Sequence, residues 1–253
     1  MKNNSITTRD GIKLVGIWTI PLKETNKAII LAHGITVDKD EHGVFVNLAK
    51  KLSEAGYAVF RFDFRGHGES GGNSVDMTIG GEIEDLYAVI NYAKSQGYSN
   101  IGLLGASFGG GTSVVYTSKY QEELRCLCLW NPVLNYDHCF LNPTLPWIRE
   151  KKKHMKGEID KQGWTTLGSR KYKVGKLLFD EMVNIKPFEL MSKIKIPSIV
   201  IHGTADTKVP FEDSKEYLEE KLVSIEGAEH GFHENWEYQR AEKITIDFFK
   251  KYL

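Results

Sequence analysis

The chain has only three cysteines among its 253 residues, Cys126, Cys128 and Cys139. Cys126 and Cys128 lie two residues apart in an apolar stretch, so on a β-strand both would point to the same face. A zinc site would need further ligands at a suitable spacing, and the sequence has no such cluster. The three residues therefore indicate buried free thiols in a reducing, cytoplasmic setting. No metal or other cofactor is expected.

Net charge is also absent, because 33 Lys and Arg residues balance 33 Asp and Glu residues. Nucleic acid or an anionic membrane is therefore not expected as the main partner. No apolar run is long enough to span a bilayer, and residues 1–14 lack the apolar core of a signal peptide. We expect a cytoplasmic protein with a small-molecule substrate, either a monomer or a homodimer.

Strand-like apolar segments alternate with helix-like amphipathic segments along most of the chain. Strands are predicted at residues 13–21, 27–34, 100–107, 125–132, 197–203 and 223–230, and residues 58–68 are predicted as a strand that runs into a glycine loop. Helices are predicted at residues 41–57, 80–98, 108–120, 211–222 and 235–253. This alternation predicts an α/β fold with a mainly parallel central sheet and helices on both faces.

Residues 135–190 interrupt the alternation, because they contain no convincing central strand. They combine prolines and a lysine run with Trp147 and Trp164. A connection of this length between two strands is usually a lid or a binding element. We therefore predict a core formed by residues 1–134 and 191–253, with residues 135–190 as an inserted lid.

One serine separates an apolar strand from a cluster of glycines in the segment LLGASFGGGTS, residues 103–113. A dinucleotide-binding loop is disfavoured because Ser107 replaces the second glycine of that pattern, and a P-loop is disfavoured because no lysine follows. Gly105–Gly109 instead match G-x-S-x-G, which places a serine in a sharp strand-to-helix turn with its hydroxyl exposed. The pattern predicts Ser107 as a nucleophile rather than a residue of a simple buried turn.

A serine nucleophile needs a base, and the base needs a carboxylate to orient it. Asp206 and His230 each follow a predicted strand, so both should lie with Ser107 at the carboxyl edge of the sheet. The chain order serine, aspartate, histidine is the one expected on such a sheet. Asp206 or His230 alone would more simply be a solvated or capping loop residue, but the ordered set of three favours catalysis. His233 is the less favoured alternative base.

Hydrolysis at a serine also requires two N–H groups that stabilise the oxyanion. We predict the backbone N–H of Phe108, directly after the nucleophile, as one of them. The other is predicted to be that of Ile35, in the loop after the strand at 27–34, with Thr36 as the alternative.

The motifs LAHG, FRFDFRGHGES, GASFGG, HGTADTKVP and GAEHGF together resemble the α/β-hydrolase superfamily. The likeness is greatest to its small bacterial esterases of the feruloyl or cinnamoyl esterase and monoacylglycerol lipase types, and it covers most of the chain except the insertion. It implies a triad of Ser107, Asp206 and His230, with Ile35 and Phe108 as oxyanion donors. Many cinnamoyl esterases have an aromatic residue at the position of Ile35 and a glutamine at that of Phe108, so the pocket wall differs here.

The function implied by this resemblance is a carboxylic ester hydrolase that forms an acyl-enzyme, with hydroxycinnamoyl or other small-to-medium acyl esters as substrates. By the same analogy Trp147, Trp164 and Tyr172 are predicted to bind substrate, unless these aromatic residues only anchor the insertion to the core. The main alternative is an acyl thioesterase or acyltransferase, which would use the same triad. A serine aminopeptidase is less favoured because no amine-binding site is evident, and a non-catalytic binding scaffold is disfavoured by the intact triad.

Overall fold

The computed structural model describes residues 3–253, so the first two residues of the predicted core segment 1–134 lie outside it. The strands in this range are β1 (Asn3–Thr7), β2 (Lys13–Thr19), β3 (Lys27–Ala32), β4 (Ala58–Phe62), β5 (Asn100–Ala106), β6 (Cys126–Trp130), β7 (Trp164–Leu167), β8 (Tyr172–Gly175), β9 (Ser198–Gly203) and β10 (Leu222–Ile225). All except β7 and β8 belong to one sheet, and those two form a separate antiparallel hairpin.

The main sheet has the strand order β1-β2-β4-β3-β5-β6-β9-β10. Neighbouring strands are parallel from β4 through to β10, whereas β2 runs antiparallel to both β1 and β4. The prediction of a mainly parallel sheet is therefore confirmed. In such a sheet the loops after β3, β5, β9 and β10 meet at one edge, which is where ligands bind in this architecture.

The helices in the described range are α1 (Val44–Glu54), α2 (Ile79–Ser95), α3 (Ser107–Tyr120), α4 (Pro146–Gln162), α5 (Lys176–Asn184), α6 (Pro187–Leu190), α7 (Phe211–Leu218) and α8 (Asn235–Tyr252). Phe45 of α1 and Phe249 of α8 belong to one apolar cluster, and Leu86 of α2 and Val114 of α3 belong to another. The two clusters cover opposite faces of the sheet, as predicted.

The central strands are apolar along their whole length because both of their faces are covered. In β3, Ile29 and Leu31 pack into the cluster that contains α1, while Ile30 packs into the cluster that contains α2. Successive side chains of a strand point to opposite faces, so this continuous run fills both halves of the core.

Residues 135–190 connect β6 to β9 and contain α4, the β7–β8 hairpin, α5 and α6. They do not form an apolar core of their own, because Ile148, Met155 and Leu178 belong to the same cluster as α2 and α3. The lid boundaries drawn from the sequence stay a prediction. Within residues 3–253, no helix has both the length and the apolar character needed to cross a bilayer.

Candidate active site

Ser107 occupies the turn between β5 and α3 and is the first residue of that helix. Its φ is 52°, in the left-handed region that residues other than glycine rarely adopt. Such a conformation costs about 1–3 kcal/mol and persists only where neighbouring contacts enforce it. One of these contacts is the hydrogen bond that the backbone N–H of Val133 donates to the Ser107 carbonyl, at 2.8 Å.

The glycines beside Ser107 are required by close packing. A Cβ on Gly109 would lie 2.9 Å from the carbonyl oxygen of Ala32 and would overlap that of His33. A Cβ on Gly105 would overlap the hydroxyl of Ser113. The backbone of the turn therefore approaches its neighbours too closely for any side chain, which is the physical meaning of the G-x-S-x-G pattern.

The structure brings Ser107, Asp206 and His230 together at one edge of the sheet. The His230 Nε2 atom lies 3.1 Å from the Ser107 hydroxyl oxygen, and its Nδ1 atom lies 2.7 Å from Oδ2 of Asp206. A carboxylate can only accept a hydrogen bond, so Nδ1 carries a proton and its N–H donates a hydrogen bond to Asp206. The neutral ring then has Nε2 free to accept the hydrogen bond of the serine hydroxyl.

Asp206 is buried in the loop after β9, where its charge is well compensated. Its Oδ1 atom accepts hydrogen bonds from the backbone N–H groups of Lys208 at 2.7 Å and Val209 at 2.8 Å. The His202 Nε2 atom lies 3.2 Å from its other carboxylate oxygen. Burial alone would raise the pKa of Asp206, but the His230 and His202 rings hold that pKa well below its ordinary value. The residue is therefore an anion at neutral pH.

The electrostatics of His230 follow from this anion. Burial lowers the pKa of His230, but the charge and hydrogen bond of Asp206 outweigh the burial and raise the pKa above its ordinary value. His233, the alternative base, is exposed, and its ring packs edge-on against His42 with ring centroids 5.7 Å apart. The hydroxyl of Ser107 is hydrogen-bonded to His230 and not to His233.

One of the two amides predicted to stabilise an oxyanion directly follows Ser107, and the other belongs to a residue that lines the same cavity as Ser107. Phe108 is in the first turn of α3, so its N–H has no acceptor within the helix. In the loop after β3, the N–H of Gly34 donates a hydrogen bond of 2.9 Å to Oε2 of Glu41. The next amide along the chain is that of Ile35, a residue of the cavity wall.

A cavity of about 480 Å³ opens above Ser107 and His230. Its size is within the range of small-molecule sites. Apolar side chains form much of its wall, among them Ile35, Val37, Val133, Phe140, Leu167 and Val209. Polar side chains of Glu41, His42, Lys208, Glu229 and His233 also reach it. The cavity can therefore hold an apolar acyl group beside the serine hydroxyl.

The structure separates the three aromatic residues predicted to bind substrate. Trp147 lines the cavity, and its Nε1–H donates a hydrogen bond of 2.8 Å to the Lys208 carbonyl. Trp164 and Tyr172 lie on the β7–β8 hairpin and are not part of the cavity wall.

Trp164 instead packs beneath the Lys173 ammonium, 4.4 Å from its ring centroid. Tyr172 stacks on His67, and its hydroxyl donates to the Gly66 carbonyl at 3.0 Å. Tyr172 thus matches the anchoring alternative, because it ties the insertion to the core.

Sequence reasoning missed Glu41, which is buried in the cavity wall. The residue was expected to begin the helix predicted at 41–57 from the helical spacing of that segment. The helix α1 begins only at Val44, and the Glu41 side chain turns back toward Gly34. Burial raises the pKa of Glu41 to about 7.

The chain matches the family described as serine aminopeptidase, S33, over residues 23–174, more than half of its length. The chain belongs to the serine aminopeptidase, S33 family. The relatives of this S33-family chain that have named activities include a lipase and an acyl transferase. A monoacylglycerol lipase of Mycolicibacterium smegmatis is 32% identical over 139 residues, which cover 53% of this chain and 48% of the lipase. An acyl transferase of Shewanella hanedai is 26% identical over 254 residues, which cover 89% of this chain and 75% of the transferase.

Two solved structures resemble the S33-family chain along nearly its whole length. Est1E of Butyrivibrio proteoclasticus with bound ferulic acid has a TM-score of 0.81 at 23% identity and covers 98% of this chain and 99% of its own. The Pyrococcus furiosus esterase Pf2001 has a TM-score of 0.74 at 25% identity and covers 99% of this chain and 90% of its own. These likenesses confirm the α/β-hydrolase fold.

Proposed function

We propose that this S33-family chain is a serine hydrolase that cleaves carboxylic esters through an acyl-enzyme. The observation that carries the proposal is the position of His230, which bridges the Ser107 hydroxyl at 3.1 Å and the buried Asp206 at 2.7 Å. A histidine held in this way can take the proton of a serine hydroxyl, and the carboxylate stabilises the imidazolium that forms.

The reaction consists of two acyl transfers. In the first, Ser107 Oγ bonds to the ester carbonyl carbon while His230 Nε2 takes the hydroxyl proton, and the protonated ring then returns that proton to the departing alkoxide. In the second, water attacks the acyl-enzyme, His230 takes one water proton and passes it to Ser107 Oγ, and the carboxylic acid leaves. Alcohol and acid are the products, and no other reactant is consumed.

Each tetrahedral intermediate carries a negative oxygen, for which the backbone N–H groups of Ile35 and Phe108 are the proposed donors. The positions of both residues support this assignment, since Phe108 directly follows the nucleophile and Ile35 lines the cavity. The loss of one such donor typically raises the barrier by about 3 kcal/mol.

The proposed substrates are hydroxycinnamoyl esters or other small-to-medium acyl esters. The mainly apolar wall and the volume of about 480 Å³ support an acyl group of this size. The monoacylglycerol lipase and the esterase Pf2001 support ester chemistry, and the ferulic acid bound to Est1E supports an aromatic acyl group. Trp147 is the proposed aromatic contact.

We further propose that residues 135–190 act as a lid that sets selectivity. The support is that Phe140, Trp147 and Leu167 belong to this insertion and contribute to the cavity wall. Because the rest of the wall comes from core loops, a movement of the insertion would change the space for the substrate while the Ser107–His230 contact stays in place.

Transfer of an acyl group to an acceptor other than water is the second candidate, which the likeness to the acyl transferase of Shewanella hanedai favours. The same acyl-enzyme would form from an ester or a thioester, and an alcohol or thiol would then replace water in the second step. The family description also requires that an aminopeptidase be tested.

One panel of substrates separates these activities. We expect p-nitrophenyl acyl esters and hydroxycinnamate esters to give higher kcat/KM values than acyl-CoAs or aminoacyl p-nitroanilides, and the variant Ser107→Ala to hydrolyse none of them. Higher values for acyl-CoAs or anilides would replace the proposed function by a thioesterase or a peptidase. An ester product formed with added alcohol, in preference to free acid, would indicate a transferase.

A cytoplasmic location is part of the proposal, supported by the three buried cysteines, none of which forms a disulfide. Fractionation of the source cells tests the location. Sedimentation velocity of the purified chain decides between a monomer and a homodimer.

A further inference from the structure

Glu41 is an acid of the cavity wall for which the proposed chemistry has no role. Its side chain is buried, and its Oε2 atom accepts a hydrogen bond of 2.9 Å from the backbone N–H of Gly34. A buried carboxyl group is costly unless it is neutral or well hydrogen-bonded. Its position within the wall therefore needs a reason.

The segment around Glu41 is held in an unfavourable backbone conformation. Both Glu41 and His42 have positive φ, 46° and 55°, and Thr36 in the same loop has φ 72°. Such residues cost about 1–3 kcal/mol each and are concentrated at functional sites. Two ion pairs fix the segment, one between Lys39 and Asp63 at 2.9 Å and one between Asp40 and Arg61.

Gly34 lies between this acid and the nucleophile. A Cβ placed on Gly34 would be 3.0 Å from the Ser107 Cβ and 3.7 Å from Oε1 of Glu41. The peptide that follows Gly34 carries the N–H of Ile35, the proposed oxyanion donor. Its orientation depends on how Gly34 is held, because neighbouring peptide planes share the dihedral angles of that residue.

We propose that Glu41 is a positioning residue for ester hydrolysis, because its carboxyl oxygen fixes the Gly34 amide and thereby aims the N–H of Ile35 at the oxyanion. This inference rests on the proposed function. The role requires the hydrogen-bond acceptor at the length of a glutamate side chain, and it does not require a negative charge. Burial favours the uncharged acid, which also keeps a second negative charge away from the oxyanion.

Two substitutions separate the acceptor from the charge. Glu41→Gln keeps the side-chain length and an acceptor oxygen but cannot ionise, whereas Glu41→Asp keeps the ionisable carboxyl group but shortens the side chain by one methylene. Glu82 offers a matched control, because it is also a buried acid with a hydrogen-bond partner, the Thr112 hydroxyl at 2.6 Å, and it is not part of the cavity wall. The same two substitutions are made at the control position, Glu82→Gln and Glu82→Asp. All four variants are compared with the wild type on p-nitrophenyl butyrate, and kcat is corrected for the folded fraction measured by circular dichroism.

We expect Glu41→Asp to lower kcat by about 10- to 100-fold, somewhat less than the loss of an oxyanion donor, with KM within about threefold of the wild type. Glu41→Gln should keep kcat within about threefold, and both Glu82 variants should do the same, since a contact made only in the transition state affects kcat and not KM. This pattern supports the proposal.

Three patterns would overturn it. Loss of kcat in Glu41→Gln, alone or together with Glu41→Asp, would show that the charge is needed. Unchanged kcat in both, or a rise in KM without a fall in kcat, would show that Glu41 does not aim the donor. If the wild type hydrolyses no ester, the proposed function fails and the inference fails with it, whereas an active wild type with unaffected Glu41 variants removes the inference alone.

Discussion

The loops that hold the proposed triad and the insertion that covers the cavity are held in place in different ways. Ten of the fourteen residues of α3, the helix that begins with Ser107, are buried, compared with two of the seventeen residues of α4 in the insertion. The Asp206 carboxylate is buried and accepts a hydrogen bond from the backbone N–H of Val209, whereas the insertion is attached to the core through side chains such as Trp147 and Tyr172.

This difference indicates that the two regions have separate tasks. Proton transfer between a serine and a histidine requires a hydrogen bond near 3 Å, so the core must hold these side chains rigidly. The choice of substrate requires only a suitable wall, and a wall formed partly by an inserted segment can change without disturbing the chemistry. The predictions below test this separation.

The largest effect is expected from Ser107→Ala. The variant should lower kcat by about 10⁶-fold, because removing the nucleophile leaves only binding and oxyanion stabilisation. A fluorophosphonate probe should label the wild type at Ser107 and should not label the variant, while circular dichroism shows an unchanged fold. Labelling at a different serine, located by mass spectrometry, would contradict the assignment.

His230→Ala and His233→Ala form a matched pair within one loop. We expect His230→Ala to lower kcat by at least about 10⁴-fold, because the general base is lost, and His233→Ala to remain within about fivefold of the wild type. Combining His230→Ala with Ser107→Ala should add little further loss, since the residues act as a unit. A severe loss in His233→Ala would transfer the role of base to that residue.

Asp206→Asn should lower kcat by about 10⁴-fold, because the amide no longer selects the tautomer in which Nε2 can accept a proton. It should also change the pH profile. Asp206 raises the pKa of His230, and the base must be neutral to act, so the wild type should lose activity on the acidic side at a pH above the ordinary pKa of histidine. In the variant, which lacks the Asp206 anion, the acidic limb of the kcat/KM profile should move to lower pH. An acidic limb at the same pH in both proteins would mean that a group other than His230 titrates.

Replacement of residues 143–174 by a Gly/Ser linker tests the insertion, and it leaves the helical turn Asp137–Leu141 and the helix α5 in place. We expect the variant to react with the fluorophosphonate probe at a rate within about tenfold of the wild type. The kcat/KM value for a hydroxycinnamate ester divided by that for an acetate ester should fall by about 10-fold or more, because the part of the cavity wall that contacts the larger acyl group is lost. An unchanged ratio in a folded variant would place selectivity in the core loops.

Trp147→Ala should have the smallest effect, with Trp164→Ala as its control. We expect Trp147→Ala to raise KM for a hydroxycinnamate ester by about 3- to 10-fold, as expected for the loss of an aromatic contact. Acetate hydrolysis by either variant, and hydroxycinnamate hydrolysis by Trp164→Ala, should stay close to wild-type values. Equal effects of the two substitutions would mean that Trp147 acts only through the stability of the insertion.

Much of the fold could be predicted because it follows from local patterns. The strand β3 is continuously apolar, and α1 and α2 have helical periodicity. The predicted ends of these three elements therefore lie within a few residues of the ends in the structure. The strand β1 was missed because its five residues, NNSIT, are mostly polar and lack the apolar pattern by which the other strands of the main sheet were predicted. The α/β class and the mainly parallel sheet did not depend on it.

Within the candidate site, the sequence by itself determined which residues follow which strands. The chain order of Ser107, Asp206 and His230, and the glycines that the turn needs, are properties of the backbone topology. This is why the residues could be named before their distances were known. The structure adds the contacts between them, at 3.1 and 2.7 Å.

Only the tertiary structure decided which side chains form the cavity wall. Trp147, Trp164 and Tyr172 look alike in the sequence, yet only the first reaches the cavity, because the direction of the β7–β8 hairpin turns the other two elsewhere. Glu41 looks like an ordinary acid at the start of a helix, and its contact with Gly34 exists because the chain reverses between β3 and α1. The positions of strands along the chain follow from local hydrophobic patterns, whereas the wall of a cavity depends on the packing of segments that are distant in the chain.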